Sequence, residues 1–313
     1  MVLNIKMSII LLLLLIVLCI FLTSPSNLEN ETYETNVENM YQLQTVNKAL
    51  YILGDIGTYS KELFDSINSI QYDFSTTNDN KLIAIAGDNF YPNGYEDYHF
   101  SKIQALKSAL KDIDYVGILG NHDYLNDPYK QLKIFNMPHY FYDMEFDDYL
   151  LVFIDTVILE PDYTNLDFDL VNKYVDVRSL QREQLQWLCK ILKKAQSNNK
   201  KVIVFGHYHL ESDGDYSTNT VLVNILMPIF EQYNVKNYVC GHDHSLQVSN
   251  VNYNGHIVQN FIVGSSAELR TNRCKHRLNN VFIEKFGYIK IQNDVMQFKN
   301  NFGKVLYQQN LIF

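Results

Sequence analysis

From residue 48 onward, apolar and polar positions fall into short blocks at regular spacing. Three compact apolar runs, 49–53, 82–86 and 115–119, each stop at a glycine, and short apolar runs closed by turn residues predict buried strands. The segments between them, 60–70 and 99–110, carry helical spacing, so the order reads strand, helix, strand, helix, strand. Such alternation predicts parallel strands joined by right-handed crossovers. Beyond a stretch around 127–148 a second series follows: strand 150–154, helix 180–195, strand 201–205, helix 221–233 and strand 237–240. Leu185, Leu188, Leu192 and Ala195 step by three and four, which predicts one apolar stripe on the long helix. Shorter runs at 257–263, 288–291, 295–298 and 304–310 have hairpin character. The predicted fold class is α/β, with two mixed β-sheets flanked by helices.

The first residues follow a different pattern. Lys6 precedes an apolar run from residue 7 to 22 interrupted only by Ser8, and Thr23, Ser24, Pro25 and Ser26 follow. This predicts a secretory signal peptide over 1–26, with an uncleaved N-terminal anchor as the alternative for a run at the short edge of bilayer-spanning length. Residues 27–47, rich in Asn, Glu, Thr and Tyr without apolar periodicity, read as a linker, and 48–313 as one domain. The expected destination is the secretory pathway: secreted, lumenal in a vacuole- or lysosome-like compartment, or tethered by the N-terminal segment. No apolar run near the C-terminus predicts a membrane helix.

At 313 residues, 47% hydrophobic and 19% charged, the composition is that of a globular protein with a sizeable core. The formal net charge of −9 argues against nucleic acid as a partner, because binding a polyanion needs clustered Lys and Arg. It does not argue against a small phosphorylated substrate, since bound cations can supply positive charge locally. Apart from Cys19 in the leader, Cys189, Cys240 and Cys274 are odd in number, so at least one thiol lacks an intrachain disulfide partner.

The chemistry gathers where predicted strands end. In an open α/β sheet the loops leaving the carboxyl ends of strands form the ligand crevice. Five such loops carry side chains able to bind metal: Gly54-Asp55-Ile56-Gly57, Gly87-Asp88-Asn89-Phe90-Tyr91, Gly120-Asn121-His122-Asp123, Gly206-His207-Tyr208-His209 and Gly241-His242-Asp243-His244. One Gly-Asp after a strand is an ordinary turn. Five loops pooling carboxylates, imidazoles and an amide are costly to bury together unless cations coordinate them.

These motifs resemble the metallophosphoesterase superfamily. The segments Gly-Asp-Asn-Phe-Tyr and Gly-His-Asp-His-Ser-Leu-Gln, with the helix around Gln184-Leu185-Gln186-Trp187-Leu188, resemble the purple acid phosphatases of the tartrate-resistant type. The resemblance implies a four-layer sandwich and a dinuclear centre. Asp55, Asp88, Tyr91 and His244 would hold Fe(III), and Asp88, Asn121, His207 and His242 would hold Fe(II), Zn(II) or Mn(II), with Asp88 bridging. Hard phenolate and carboxylate oxygens suit a trivalent ion, and imidazole and amide a divalent one. The implied activity is acid hydrolysis of phosphate monoesters by a metal-activated hydroxide, with His122 positioning substrate and donating or relaying a proton. His122 as a plain loop histidine is the alternative.

The remaining motif residues are read as supporting. Asp123 is expected to orient its loop or a ligand, Asp243 to point away from the ligand histidines, and His209 to line the substrate mouth or stand behind a ligand. Ile56 replaces the Trp usual in the family's first motif. His99, His139, His256 and His276 read as ordinary histidines, and Tyr140, Phe141 and Tyr142 as core or crevice wall. Glu268, Arg270, Arg273, Lys275 and Arg277 read as a solvated loop in preference to a rim of the site. Two other functions are compatible with the motifs: a phosphodiesterase or nucleotide hydrolase of the same superfamily, and a non-catalytic membrane anchor of a motor complex. Some apicomplexan glideosome-associated anchor proteins, which resemble these phosphatases, serve in the latter way.

Overall fold

The computed structural model describes residues 48–75, 80–161, 168–275 and 281–313. The expected signal peptide at 1–26 and linker at 27–47 lie outside the described residues. The two apolar series become two mixed sheets. The first holds β1 (Ala49–Leu53), β2 (Lys81–Ile85), β3 (Asp114–Gly117), β11 (Gly287–Gln292), β12 (Val295–Asn300) and β13 (Val305–Asn310). Its order is β13-β12-β11-β1-β2-β3. The second holds β4 (Tyr142–Phe146), β5 (Tyr149–Phe153), β6 (Lys201–Phe205), β7 (Asn237–Cys240), β8 (Leu246–Tyr253), β9 (His256–Val263) and β10 (Val281–Ile283). Its order is β10-β8-β9-β7-β6-β5-β4.

Strands β1, β2 and β3 run parallel, as do β5, β6, β7 and β9. Every residue of β1, β2 and β5 is buried, as expected of strands covered on both faces. The sheets approach each other at strand ends. The Gly54 N–H donates to Ser266 Oγ at 3.1 Å, and a Cβ at Gly54 would strike the Val263 carbonyl at 2.5 Å, so this crossing requires glycine.

The helices Lys61–Ser75, Phe100–Leu110, Val177–Ser197 and Thr220–Gln232 coincide with the four predicted segments. Three have side-chain N-caps: Ser60 accepts from Leu63 N–H, Asp176 from Ser179 N–H, and Asn219 from Leu222 N–H. The stripe on the long helix differs from expectation, because Leu185 is only half-buried and Gln184 is wholly buried in its place. The Gln184 amide accepts from the Asp155 N–H at 2.7 Å and donates to the Asp155 carbonyl at 2.9 Å, tying the helix to the end of β5. No helix of the described residues is long and apolar enough to cross a membrane.

Strands β4, β8 and β10 and the short helices Tyr129–Ile134, Thr156–Leu159 and Phe168–Asn172 have no counterpart in the sequence reading. The omission of β8 has a physical reason: it buries Gln247 and Ser249, so it makes no apolar run. Gln247 is satisfied by Ser212 and Ser245, and Ser249 by Asn260. None of Cys189, Cys240 and Cys274 is in a disulfide.

Candidate metal centre

Seven side chains from five loops converge where the two sheets present their strand ends. Asp55 follows β1, Asp88 and Tyr91 follow β2, Asn121 follows β3, His207 follows β6, and His242 and His244 follow β7. Asp55, Asp88 and His242 have φ of 54°, 52° and 70°. Left-handed backbone is unusual for residues with a side chain and clusters at functional sites. Here it turns the chain as each strand ends. All of Asp55, Asp88, Asn121, His207, His242 and His244 are buried.

One group of atoms forms around Tyr91. Its Oη lies 3.0 Å from Asp55 Oδ1, 3.0 Å from Asp88 Oδ2 and 3.1 Å from His244 Nε2. A phenol has one proton, so it can donate to only one of the two carboxylates. Burial, then Asp55 and Asp88, push the Tyr91 hydroxyl well above its ordinary pKa. His244 behaves oppositely: burial pulls it down, but Asp55 and Glu268 outweigh that and raise it to about 9. Asp55 and Glu268 thus draw positive charge to this place.

A second group forms around His207. Its Nδ1 donates to the Ala86 carbonyl at 2.8 Å, which leaves Nε2 of the neutral ring as an acceptor. That nitrogen lies 3.1 Å from Asn121 Oδ1 and 3.4 Å from Asp88 Oδ1. Asp88, His207 and His242 each offer a ligand atom, all within 4.8 Å of one another. Burial, then His207, His209 and His244, hold His242 well below its ordinary pKa, in the neutral form a metal requires.

Both groups fit cations by their donor chemistry and by their spacing. Acceptors face acceptors with too few protons between them, an arrangement a cation resolves. Metal–ligand bonds of about 2.0 to 2.2 Å place adjacent octahedral ligands about 3 Å apart, close to the separations around Tyr91.

Surrounding residues fix this geometry. Asp123, wholly buried, accepts from the N–H groups of Asn89 at 3.0 Å and Gly120 at 2.8 Å, joining two of the motif loops. Asp243 turns away from the histidines to Ser212. His209 is wholly buried, which rules out a place at the substrate mouth. It stands behind His242 with ring centroids 5.8 Å apart and donates from Nε2 to the Ser217 carbonyl at 3.1 Å. Burial pulls its pKa down to about 3. His99 is a buried structural histidine that accepts from Glu96 N–H and donates to the Tyr91 carbonyl at 3.3 Å.

His122 sits at the partly exposed edge. Its N–H donates to Asp88 Oδ1 at 2.9 Å and its Nδ1 to the Pro92 carbonyl at 2.6 Å. Its ring meets Tyr91 edge-on, 4.7 Å between centroids. Among the described residues Nε2 makes no hydrogen bond to protein.

The reading of 268–277 as a solvated loop is corrected in part. Glu268 Oε1 lies 3.4 Å from His244 Nδ1, and the Arg270 N–H donates to the His244 carbonyl at 3.2 Å. Arg273 and Lys275 instead pair with Asp215, and Arg277 lies outside the described residues. Tyr216, whose ring centroid is 4.4 Å from that of His242, carried no sequence signal.

Two mixed sheets that gather carboxylates, imidazoles and a phenol at their strand ends have the architecture of a metallophosphoesterase. The calcineurin-like phosphoesterase family pattern matches residues 49–246, more than half of the chain, and the chain belongs to that family. Tartrate-resistant acid phosphatase type 5 of Homo sapiens is 30% identical over 206 residues, 60% of this chain and 60% of the relative. Purple acid phosphatase 3 of Arabidopsis thaliana is 31% identical over 195 residues, 55% of this chain and 51% of the relative. The matches thus span little more than half the length of these relatives. Among solved structures, purple acid phosphatase PPD1 from yellow lupin (Lupinus luteus) seeds aligns with a TM-score of 0.63 at 15% identity, covering 85% of this chain and 53% of that one. GAP50, the anchor in the inner membrane complex of Plasmodium, aligns with a TM-score of 0.64 at 18% identity, covering 85% and 89%. At such identities these two likenesses concern the fold alone.

Proposed function

We propose that this chain is an acid phosphatase hydrolysing phosphate monoesters at a dinuclear centre. Asp55, Asp88, Tyr91 and His244 would hold Fe(III), and Asp88, Asn121, His207 and His242 a divalent Fe, Zn or Mn. The observation that carries this reading is Asp88 itself, whose Oδ2 faces Tyr91 at 3.0 Å while its Oδ1 faces His207 at 3.4 Å. One carboxylate shared between two ligand groups suits a bridge. When bound, such a metal pair supplies Lewis acidity toward the phosphoryl oxygens and activates water for attack.

The chain's own residues orient the substrate and handle protons. Pro92 and Asp88 fix His122 at the rim with Nε2 making no hydrogen bond among the described residues, the position for a group that holds the leaving oxygen and gives it a proton. His207 is held through Nδ1 by a hydrogen bond to the Ala86 carbonyl, and Glu268 stands 3.4 Å from His244 Nδ1, so both rings turn Nε2 toward the centre. The apolar leader at 7–22 supports passage into the secretory pathway.

The test is hydrolysis of p-nitrophenyl phosphate at acidic pH by the purified, metal-loaded protein. Activity that disappears on chelation and returns with iron and zinc is expected. Absence of activity after reconstitution would contradict the reading and favour a non-catalytic role.

A further inference from the structure

Beside the centre, two loops are clasped together. The Lys275 N–H donates to the Asp213 carbonyl at 2.8 Å, while Lys275 Nζ and Arg273 Nη1 lie 2.5 and 3.5 Å from Asp215. The two cations after Arg270 are therefore committed to structure. Arg270 is not. Its backbone is tied to the His244 carbonyl at 3.2 Å, and its Nη1 donates to Tyr216 Oη at 3.3 Å, the only hydrogen bond of its guanidinium among the described residues. The Tyr216 ring lies against His242. Arg270 is half-buried and close enough to interact electrostatically with Glu268 and Tyr91.

A guanidinium taken partly out of water with one long bond to a neutral phenol is incompletely satisfied. Its complement is an anionic oxygen that can accept from the fork's free N–H groups, and phosphate is a typical source. A phosphomonoester has three terminal oxygens and a diester two. Once two oxygens are engaged at the centre, only the monoester has one left for a guanidinium at the side. We propose that Arg270, aimed by Tyr216, is a phosphate-binding residue that selects phosphomonoesters over diesters. This rests on the phosphoesterase reading of the same centre.

The experiment compares metal-loaded wild type with Arg270→Gln and Arg270→Lys, first by calorimetric titration with inorganic phosphate. Hydrolysis of p-nitrophenyl phosphate and of bis(p-nitrophenyl) phosphate is measured on the same preparations. Arg270→Gln is expected to bind phosphate about 10-fold or more weakly and to lose kcat/KM for the monoester to the same extent, with diester hydrolysis unchanged. Arg270→Lys, which keeps the charge but not the fork, should retain metal and fall between the two. Its readout stands even where Arg270→Gln unsettles the loop. Tyr216→Phe is expected to raise KM for the monoester while leaving kcat alone. Phosphate affinity within about twofold of wild type in both Arg270 variants, or an equal loss for the diester, would overturn the proposal. Wild type that binds phosphate but hydrolyses neither ester contradicts the hydrolase reading alone, because the affinity comparison does not depend on turnover.

Discussion

His207 donates from Nδ1 to the Ala86 carbonyl at 2.8 Å, joining the end of β2 in one sheet to the end of β6 in the other. That bond selects the tautomer and points Nε2 at Asn121 and Asp88. The direction in which His207 presents Nε2 thus depends on the two sheets meeting correctly. His207→Ala is expected to lose one of two bound ions and at least about 100-fold in activity. Metal stoichiometry by plasma emission checks it, and full metal content in the variant would contradict the assignment.

Gly120 tests the closeness of the same loops. A Cβ there would overlap Asp88 Oδ1 and come within 2.8 Å of His207 Cε1, both fixed and buried. Gly120→Ala is expected to destabilise the fold by about 1 to 3 kcal/mol and to reduce metal content. Urea unfolding with and without chelator measures both effects.

Glu268 stands behind His244 as Ala86 stands behind His207. Glu268→Gln removes the charge at 3.4 Å from His244 Nδ1, and about 10-fold weaker retention of one ion is expected. Competition with a chelator reads this directly. Retention equal to wild type would mean that the contact does not support the ligand.

Asp155, which is not one of the proposed ligands, provides a pH-dependent prediction. Burial raises its pKa to about 6 despite hydrogen bonds from Tyr124 and Ile158. The folded state therefore binds a proton between pH 4 and 6 that the unfolded chain has released, and stability falls as pH rises through this window. The shift corresponds to roughly 3 kcal/mol. Asp155→Asn should gain stability relative to wild type as pH increases from 4 to 7, as read by the difference in Tm between the two proteins. A difference that does not change with pH would contradict this.

The strand–glycine pattern made much of the fold legible. β1 begins and ends where its apolar run does, because a strand buried on both faces is apolar throughout, while β6 and β7 keep the expected bounds although they open on Lys201 and Asn237. The same pattern located Asp55, Asp88, Asn121, His207 and His242, each next to the glycine that ends a run. β8 was not legible because its buried residues are polar and find partners far along the chain: Ser212, 35 residues before Gln247, and Asn260, 11 after Ser249. Glu268, Arg270 and Tyr216 were hidden for a related reason. Their roles arise from contacts between loops, such as the 54 residues separating Arg270 from Tyr216, and local composition does not record such contacts.

The proposed function places Tyr91 on a ferric ion together with Asp55, Asp88 and His244. The most direct test is the visible absorption spectrum of purified wild type and Tyr91→Phe, read alongside iron content. Wild type is expected to contain iron and show a broad visible band that is absent from Tyr91→Phe. A band that persists in the variant, or iron-loaded wild type without one, would contradict the assignment.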